Sequence, residues 1–469
     1  MTRDEPLHYR SLADTAADIA SGARSAEEVT RHTLERIEAL EPSLHAFALV
    51  RAEPALAEAR AADARRSRGE ALGPLHGVPI AIKDLCAMAG TPTRAGGAFP
   101  TRFAATDTAT LVTRLTAAGA VVVGKAQLTE GAWGSHHPDV IAPVNPWAPD
   151  RWTGVSSSGS GVSVAAGMAY GAIGSDTAGS IRFPSSCNHL VGLKPTWGRV
   201  SRHGVFPLSD TFDHLGPMTR TVMDAALMLD AIEGADPLDP TSLDAPASNA
   251  AAAARAGTLK GVKIGLDPAY ALTGLDEPTE TGIRAALALM QQEGALIVDV
   301  SVPDVRPFLE RAIGSALAEA AISHAPSFPS QRSLYGPTFA AVLDAGRATP
   351  VLDYAAIAIW RREFRGALAR LFETVDVLVA PAMPIAPPQL AAMAALVAAP
   401  PESAAPMLAY TIPFNLAGAP TLTLPTGPDA AGVPVGFQLI GPDLGEAALL
   451  SAGAAYERAS GFSSLHPAI

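Results

Sequence analysis

The sequence predicts an α/β protein, one large domain with an inserted region, and three observations carry that prediction. Short uncharged runs such as PIAI (79–82) and AVVV (120–123) read as buried strands. They alternate with Ala-, Glu- and Arg-rich stretches of helical spacing, the pattern of layered helices and sheet. At 469 residues, 48% hydrophobic and 17% charged, the chain has ample material for a core, with no internal repeat of fixed period.

Taken in order, residues 10–70 are helical in pattern, and Ser25 with Glu28 forms a candidate capping box. Pro74 and Gly77 break that pattern before the strand in GVPIAIKDL (77–85). A helix over 109–118 and a strand over 120–125 follow. The chain then turns Gly- and Ser-rich from 153 to 180 around an Ala-rich helix candidate at 161–171. Residues 65–235 read as the core of the domain, the part to which the motifs below assign catalysis, and 236–258 as a linker or surface loop. The inserted, variable region runs over 259–405, with a strand at VKIGLD and a helix at 279–294. Its Pro- and Ala-rich end, 381–406, reads as a long loop or loosely packed cover, and 406–469 returns to the core sheet.

Composition narrows the function. A net charge of −12, with no basic block longer than Arg65-Arg66, points away from nucleic acid or an anionic membrane as partner. Two cysteines, Cys86 and Cys187, make neither a disulfide framework nor a thiolate metal site. The N-terminus lacks the apolar core of a signal peptide, and the long uncharged run 377–401 carries six prolines. A cytoplasmic protein is the expectation.

Familiar motifs fail. GAVVVGKA (119–126) matches the start of a P-loop but lacks the Ser/Thr after lysine and places a strand where a turning backbone is required. G-x-S-x-G, S-x-x-K and H-E-x-x-H are absent. What remains is GVSSSGSGVSVAAG (154–167) followed by GSDTAGSIRFP (174–184). Small residues at this density let backbone N–H groups face a cavity, as an oxyanion hole requires, and a serine there is a nucleophile if a base reaches it. The same pattern also suits a plain Gly/Ser loop joining helix to strand. Lys83, one of only five lysines beside 29 arginines, closes an apolar strand. Burial there would lower its pKa toward that of a neutral base, whereas a pair with Asp84 would make it structural.

Together these segments resemble the amidase signature family. The resemblance extends through NHLVGLKPTWGRVS (188–201), LGPMTRTVMDAALML (215–229), VDVLVAPAMP (375–384), NLAGAPTLTLPTG (415–427) and GVPVGFQLIGP (432–442), most of the chain. It implies a central mixed sheet flanked by helices on both faces, and hydrolysis of an amide through a Ser–Ser–Lys triad. Lys83 matches the family lysine, Ser156 the serine that follows a cis peptide, and Ser180 the nucleophile, 24 residues farther on. The proton of Ser180 would pass through Ser156 to Lys83. The N–H groups of Thr177, Ala178, Gly179 and Ser180 would hold the oxyanion. Asp176 and Arg182 would shape the turn, and Ser157 would neighbour the triad. No cofactor or metal is implied, and a homodimer would be unsurprising.

Three positions depart from the family pattern. Val155 replaces a glycine before the paired serines, Ser158 stands in a glycine position, and Ala178 replaces a glycine of the oxyanion turn. Specificity is expected from 127–137, with Trp133 as an apolar wall or ordinary core, and from 381–406. Those segments suggest an uncharged or aromatic amide, with carbamates (the urethanase reaction) and esters as relatives. Two rivals stand beside this reading: the glutaminase subunit of a tRNA-dependent amidotransferase, and a catalytically silent scaffold.

Overall fold

The computed structural model describes residues 5–469. Eleven strands form one sheet: β1 (Phe47–Val50), β2 (Pro79–Lys83), β3 (Val121–Ala126), β4 (Gly171–Asp176), β5 (Val191–Lys194), β6 (His214–Thr219), β7 (Lys263–Leu266), β8 (Leu296–Asp299), β9 (Val377–Pro381), β10 (Thr421–Pro428) and β11 (Pro434–Ile440). Their order is β1-β3-β2-β4-β6-β5-β10-β11-β9-β7-β8. β3, β2 and β4 run parallel, as do β9, β7 and β8, and antiparallel pairs join the rest, so the sheet is mixed.

Every residue of β2, β3, β4, β5, β6, β9 and β11 is buried. Because alternate side chains point to opposite faces, both faces of the sheet must be covered. Helices supply that cover. Residues 309–324, 337–347 and 351–371 form three helices, the first packed against the other two. The strands from 263–299 and 377–381 extend the same sheet that carries β2 and β4.

Local signals mostly hold. Ser25 Oγ accepts the Glu28 N–H and starts the helix Ala26–Leu44, although the Glu28 carboxylate turns to Arg24 instead of completing the box. The expected helix at 109–118 spans Thr110–Ala117, and that at 279–294 spans Glu277–Gln292, capped by Asp276. The helix expected over 161–171 instead runs Ser158–Ala165, and Gly171–Asp176 is β4. That strand, GAIGSD, is built of small residues and lacks a β-branched run, so its pattern does not announce it. The linker at 236–258 holds a short helix, Ala250–Ala256. The cover at 381–406 holds the helix Leu390–Ala398. Among the described residues no helix is long and apolar enough to cross a membrane.

β2 and β4 are parallel neighbours, with Ala81 opposite Ala172 and Ile82 opposite Ile173. Their carboxyl ends therefore bring Lys83 and Ser175 side by side. The ends of parallel strands are where open α/β sheets bind ligands.

Candidate active site

Lys83 is fully buried at the end of β2, and its Nζ donates to three hydroxyls: Ser156 Oγ at 2.7 Å, Ser157 Oγ at 2.8 Å and Ser175 Oγ at 2.8 Å. Burial lowers its pKa to about 7, against the smaller opposing fields of Cys86, Asp213 and Asp176. Asp84 is not its partner: that carboxylate lies 2.8 Å from Lys125 Nζ. Lys125, the lysine of the P-loop-like string, is thus held in strand β3 by an ion pair and cradles no phosphate.

The Gly/Ser block crosses in front of Lys83. The Val155–Ser156 peptide is cis, and the helix from Ser158 begins two residues later. Gly159 lets this helix abut the neighbouring chain; a Cβ there would come within 2.3 Å of Ala46 O and 2.5 Å of Gln127 N. Ser157 Oγ accepts the Ser175 N–H and donates to the Ser175 carbonyl, both at 3.2 Å, locking the block to β4. Ser158 pairs with His136 Nε2 at 3.1 Å, so the hydroxyl in a glycine position has a specific partner.

After β4 the chain makes a tight turn and enters the short helix Arg182–Cys187. Asp176 organises this turn: its Oδ1 accepts the Gly179 N–H at 2.8 Å and its Oδ2 accepts the Ile181 N–H at 3.1 Å. The same carboxylate forms a two-point pair with Arg182, Nη2 to Oδ1 at 2.8 Å and Nε to Oδ2 at 3.0 Å. Burial alone would raise the Asp176 pKa, yet Arg182 and Asn415 hold it well below the usual carboxylate range. Gly179, at φ 125°, occupies the one position of the turn that needs glycine; Ala178 does not have a positive φ, so its methyl group is tolerated.

The Gly179 N–H is thereby committed to Asp176, unlike the expectation of four consecutive free donors. The N–H groups of Thr177, Ala178 and Ser180 have no protein partner among the described residues. Ser180, 9% exposed, faces the site, while Ser156 is fully buried behind it. The Lys83–Ser156 contact is formed; between Ser180 Oγ and Ser156 Oγ no hydrogen bond is present among the described residues.

Ser180 opens into a chamber of about 170 Å³. Trp133, Trp152, Val155 and Phe183 line it near the serine, Met393, Leu396 and Val397 close it from the 381–406 cover, and Met407 adds to the wall just beyond that segment. Among the described residues no charged side chain lines its wall. Trp133 is both chamber wall and packed against the core. Val155 supplies wall where a glycine would leave space. The helices at 309–324 and 337–347 add Ile313 and Val342, which no sequence motif marks. Asn415 and Ser175 lay inside segments already singled out; Asp213 stands just outside one. All three touch the site only through pairings that the sequence does not display. Among the described residues no cluster of three or more His, Cys, Asp or Glu side chains could hold a metal.

A family model described as Amidase matches residues 28–450. The chain is 42% identical over 466 residues to a protein named "Putative amidase AmiD" from Mycobacterium tuberculosis (strain ATCC 25618 / H37Rv), covering 99% of this chain and 97% of that one. It is 37% identical over 485 residues to a component of the glutamyl-tRNA(Gln) amidotransferase of Chloroflexus aurantiacus (strain ATCC 29366 / DSM 635 / J-10-fl), covering 96% and 97%. Among solved structures it is similar to a bacterial aryl acylamidase of the amidase signature enzymes (26% identity, TM-score 0.85, 98% of both chains). It is also similar to the native peptide amidase of Stenotrophomonas maltophilia (31%, TM-score 0.80, 97% and 98%).

Proposed function

The chain belongs to the amidase family, that of the amidase signature enzymes, and from that premise we propose that it hydrolyses an uncharged, apolar amide through an acyl-enzyme on Ser180. The observation that carries the reading is the buried Lys83 amine, hydrogen-bonded to Ser156 behind a serine that faces an apolar chamber. With a pKa near 7, Lys83 is substantially neutral at neutral pH and can accept a proton.

In this mechanism Ser180 Oγ attacks the amide carbonyl as its proton moves to Ser156 and that of Ser156 moves to Lys83. The oxyanion is held by the N–H groups of the turn left free by Asp176, those of Thr177, Ala178 and Ser180. The proton returns along the same path to the nitrogen, the C–N bond breaks and the amine leaves neutral. Water then adds to the acyl-enzyme by the same relay and releases the carboxylic acid. Asp176 and Arg182 shape the turn, and Ser157 fixes the lysine.

The uncharged wall supports an apolar acyl or amine group. A cavity of about 150 Å³ suffices for benzene, so the chamber has room for one aromatic ring or a branched alkyl group. None of its described lining residues carries a charge to pair with the α-ammonium and α-carboxylate of free glutamine, whose burial unpaired would cost several kcal/mol. Carbamates, urethanes included, and aryl esters present the same planar carbonyl and fall within the proposed range. The net charge of −12 supports a small-molecule partner over nucleic acid. A cytoplasmic homodimer completes the proposal.

The test is hydrolysis of anilide, primary amide, carbamate and glutamine substrates by the purified chain beside Ser180→Ala and Lys83→Ala. We expect anilides with apolar acyl groups to be cleaved best and both variants to lose activity by orders of magnitude. Cleavage of glutamine alone, or variants as active as the parent, would overturn the assignment.

A further inference from the structure

Asp213 is a buried carboxylate that the mechanism above does not use. It follows the loop 206–212 and immediately precedes β6. Its Oδ1 accepts the Thr177 hydroxyl at 2.5 Å, and its Oδ2 accepts the N–H groups of Leu208 at 2.9 Å and Ser209 at 3.1 Å. One side chain thus ties the first residue of the Ser180 turn to a loop that contributes Leu208 to the chamber wall. Asp213 also shares a cavity of about 80 Å³ with Ser175, the hydroxyl that receives a Lys83 hydrogen bond. Ser175 thus stands between the two groups, bonded to Lys83 and lining the cavity that Asp213 also lines, and the Asp213 charge favours the protonated lysine.

We propose that Asp213 is a positioning residue for the hydrolysis: it holds Thr177 so that the turn presents its N–H groups, and its negative charge supports the protonated form of Lys83 that the attack on the carbonyl creates. The inference rests on the Ser180–Ser156–Lys83 reading. Attack moves a proton onto Lys83, and a buried ammonium with no nearby anion is costly. The charged groups around the pair are few. Asp176 is engaged by Arg182 and Asp84 by Lys125, Cys86 is a buried thiol held neutral by its raised pKa, and Arg202 and Asp210 line the small cavity, where the Arg202 charge favours an ionised Asp213. Glu319, from the helix 309–324, is occupied by Ser209 and Thr211. Among the described residues Asp213 forms no ion pair, and its effect on Lys83 exceeds that of Asp176. Burial raises its own pKa to about 6, so it is ionised wherever Lys83 is near neutral.

The experiment compares Asp213→Asn, Thr177→Val and Thr177→Ser with the parent on one apolar anilide across pH 5–9, with Ser180→Ala as the inactive control. Asp213→Asn should lower kcat about tenfold or more and leave KM within about twofold, the pattern of an interaction made only in the transition state. Removing the negative charge makes the lysine easier to deprotonate, so the acid limb of kcat/KM should move down by about half a pH unit or more. Thr177→Val should lower kcat with the limb unmoved, and Thr177→Ser should restore it. A parent-like kcat for Thr177→Val, or an unmoved acid limb for Asp213→Asn, overturns the proposal. Should Asp213→Asn fail to fold, the Thr177 pair decides. An active Ser180→Ala would overturn the mechanism itself, a result distinguishable from either.

Discussion

The Lys83 amine and the Ser156 hydroxyl stand 2.7 Å apart in fully buried surroundings, while the adjacent Asp84 is held away by Lys125. No carboxylate pairs directly with Lys83, and burial therefore sets its pKa, at about 7. A base must be deprotonated to work, so kcat/KM should rise with pH up to about 7, tenfold per unit, and level above it. Stability follows with the same sign. Between about pH 7 and 10 the unfolded chain keeps the Lys83 proton that the folded chain has lost, so folding stability gains with rising pH. Lys83→Met should abolish the rate and flatten that part of the stability profile, measured by urea unfolding at pH 7 and 9.5. An acid limb that stayed near pH 5 would refute the role of Lys83.

Asp176 and Arg182 form a buried two-point pair that also binds the backbone of the Ser180 turn. Deleting one partner strands the other charge, which costs about 3–5 kcal/mol in buried pairs. Asp176→Ala and Arg182→Ala should each lose stability on that scale by denaturant unfolding. A loss under about 1 kcal/mol, the range of exposed pairs, would show that the site is wetter than its geometry suggests.

The cover helix Leu390–Ala398 presents Leu396 to the chamber while keeping that side chain partly exposed. Leu396→Asp should therefore leave the denaturation midpoint nearly unchanged and put a charge in the wall. The expected effect is a drop in kcat/KM of about tenfold or more for an apolar anilide, carried by KM, because an apolar group would meet a solvated carboxylate. Parent-like kinetics would place the substrate elsewhere.

The sequence displayed the strand that ends at Lys83 and the two serine blocks because each is local: an apolar run, a cluster of small residues, a turn. Their resemblance to a family supplied the pairing. The remainder is contact between distant segments. Asn415 reaches Asp176 across 239 residues, and Asp213 reaches Thr177 across 36. No periodicity encodes such contacts. β4 was missed for a different reason, since a fully buried strand in which Ile173 is the one large apolar residue has no side-chain pattern to read. The open choice between a basic and a structural Lys83 turned on where Asp84 points, and only packing against Lys125 decides that.

Ser158 and His136 offer the cleanest test of a departure from the family pattern. The hydroxyl stands in a glycine position, and the partly buried imidazole meets it at 3.1 Å. Burial lowers the His136 pKa to about 4, so the ring is neutral near pH 7 and its Nε2 shares one ordinary hydrogen bond with Ser158. Ser158→Gly would unpair that nitrogen and add backbone freedom at a helix start, while His136→Ala would unpair the hydroxyl. Each should cost about 1–2 kcal/mol. Because each single change removes the same bond, the double variant should cost less than the two losses added, with a coupling of about 0.5–1.5 kcal/mol. Urea unfolding of the four proteins measures this directly. A coupling near zero would mean that the serine is tolerated by empty space, and that the loop 127–137 is held over the site by other contacts.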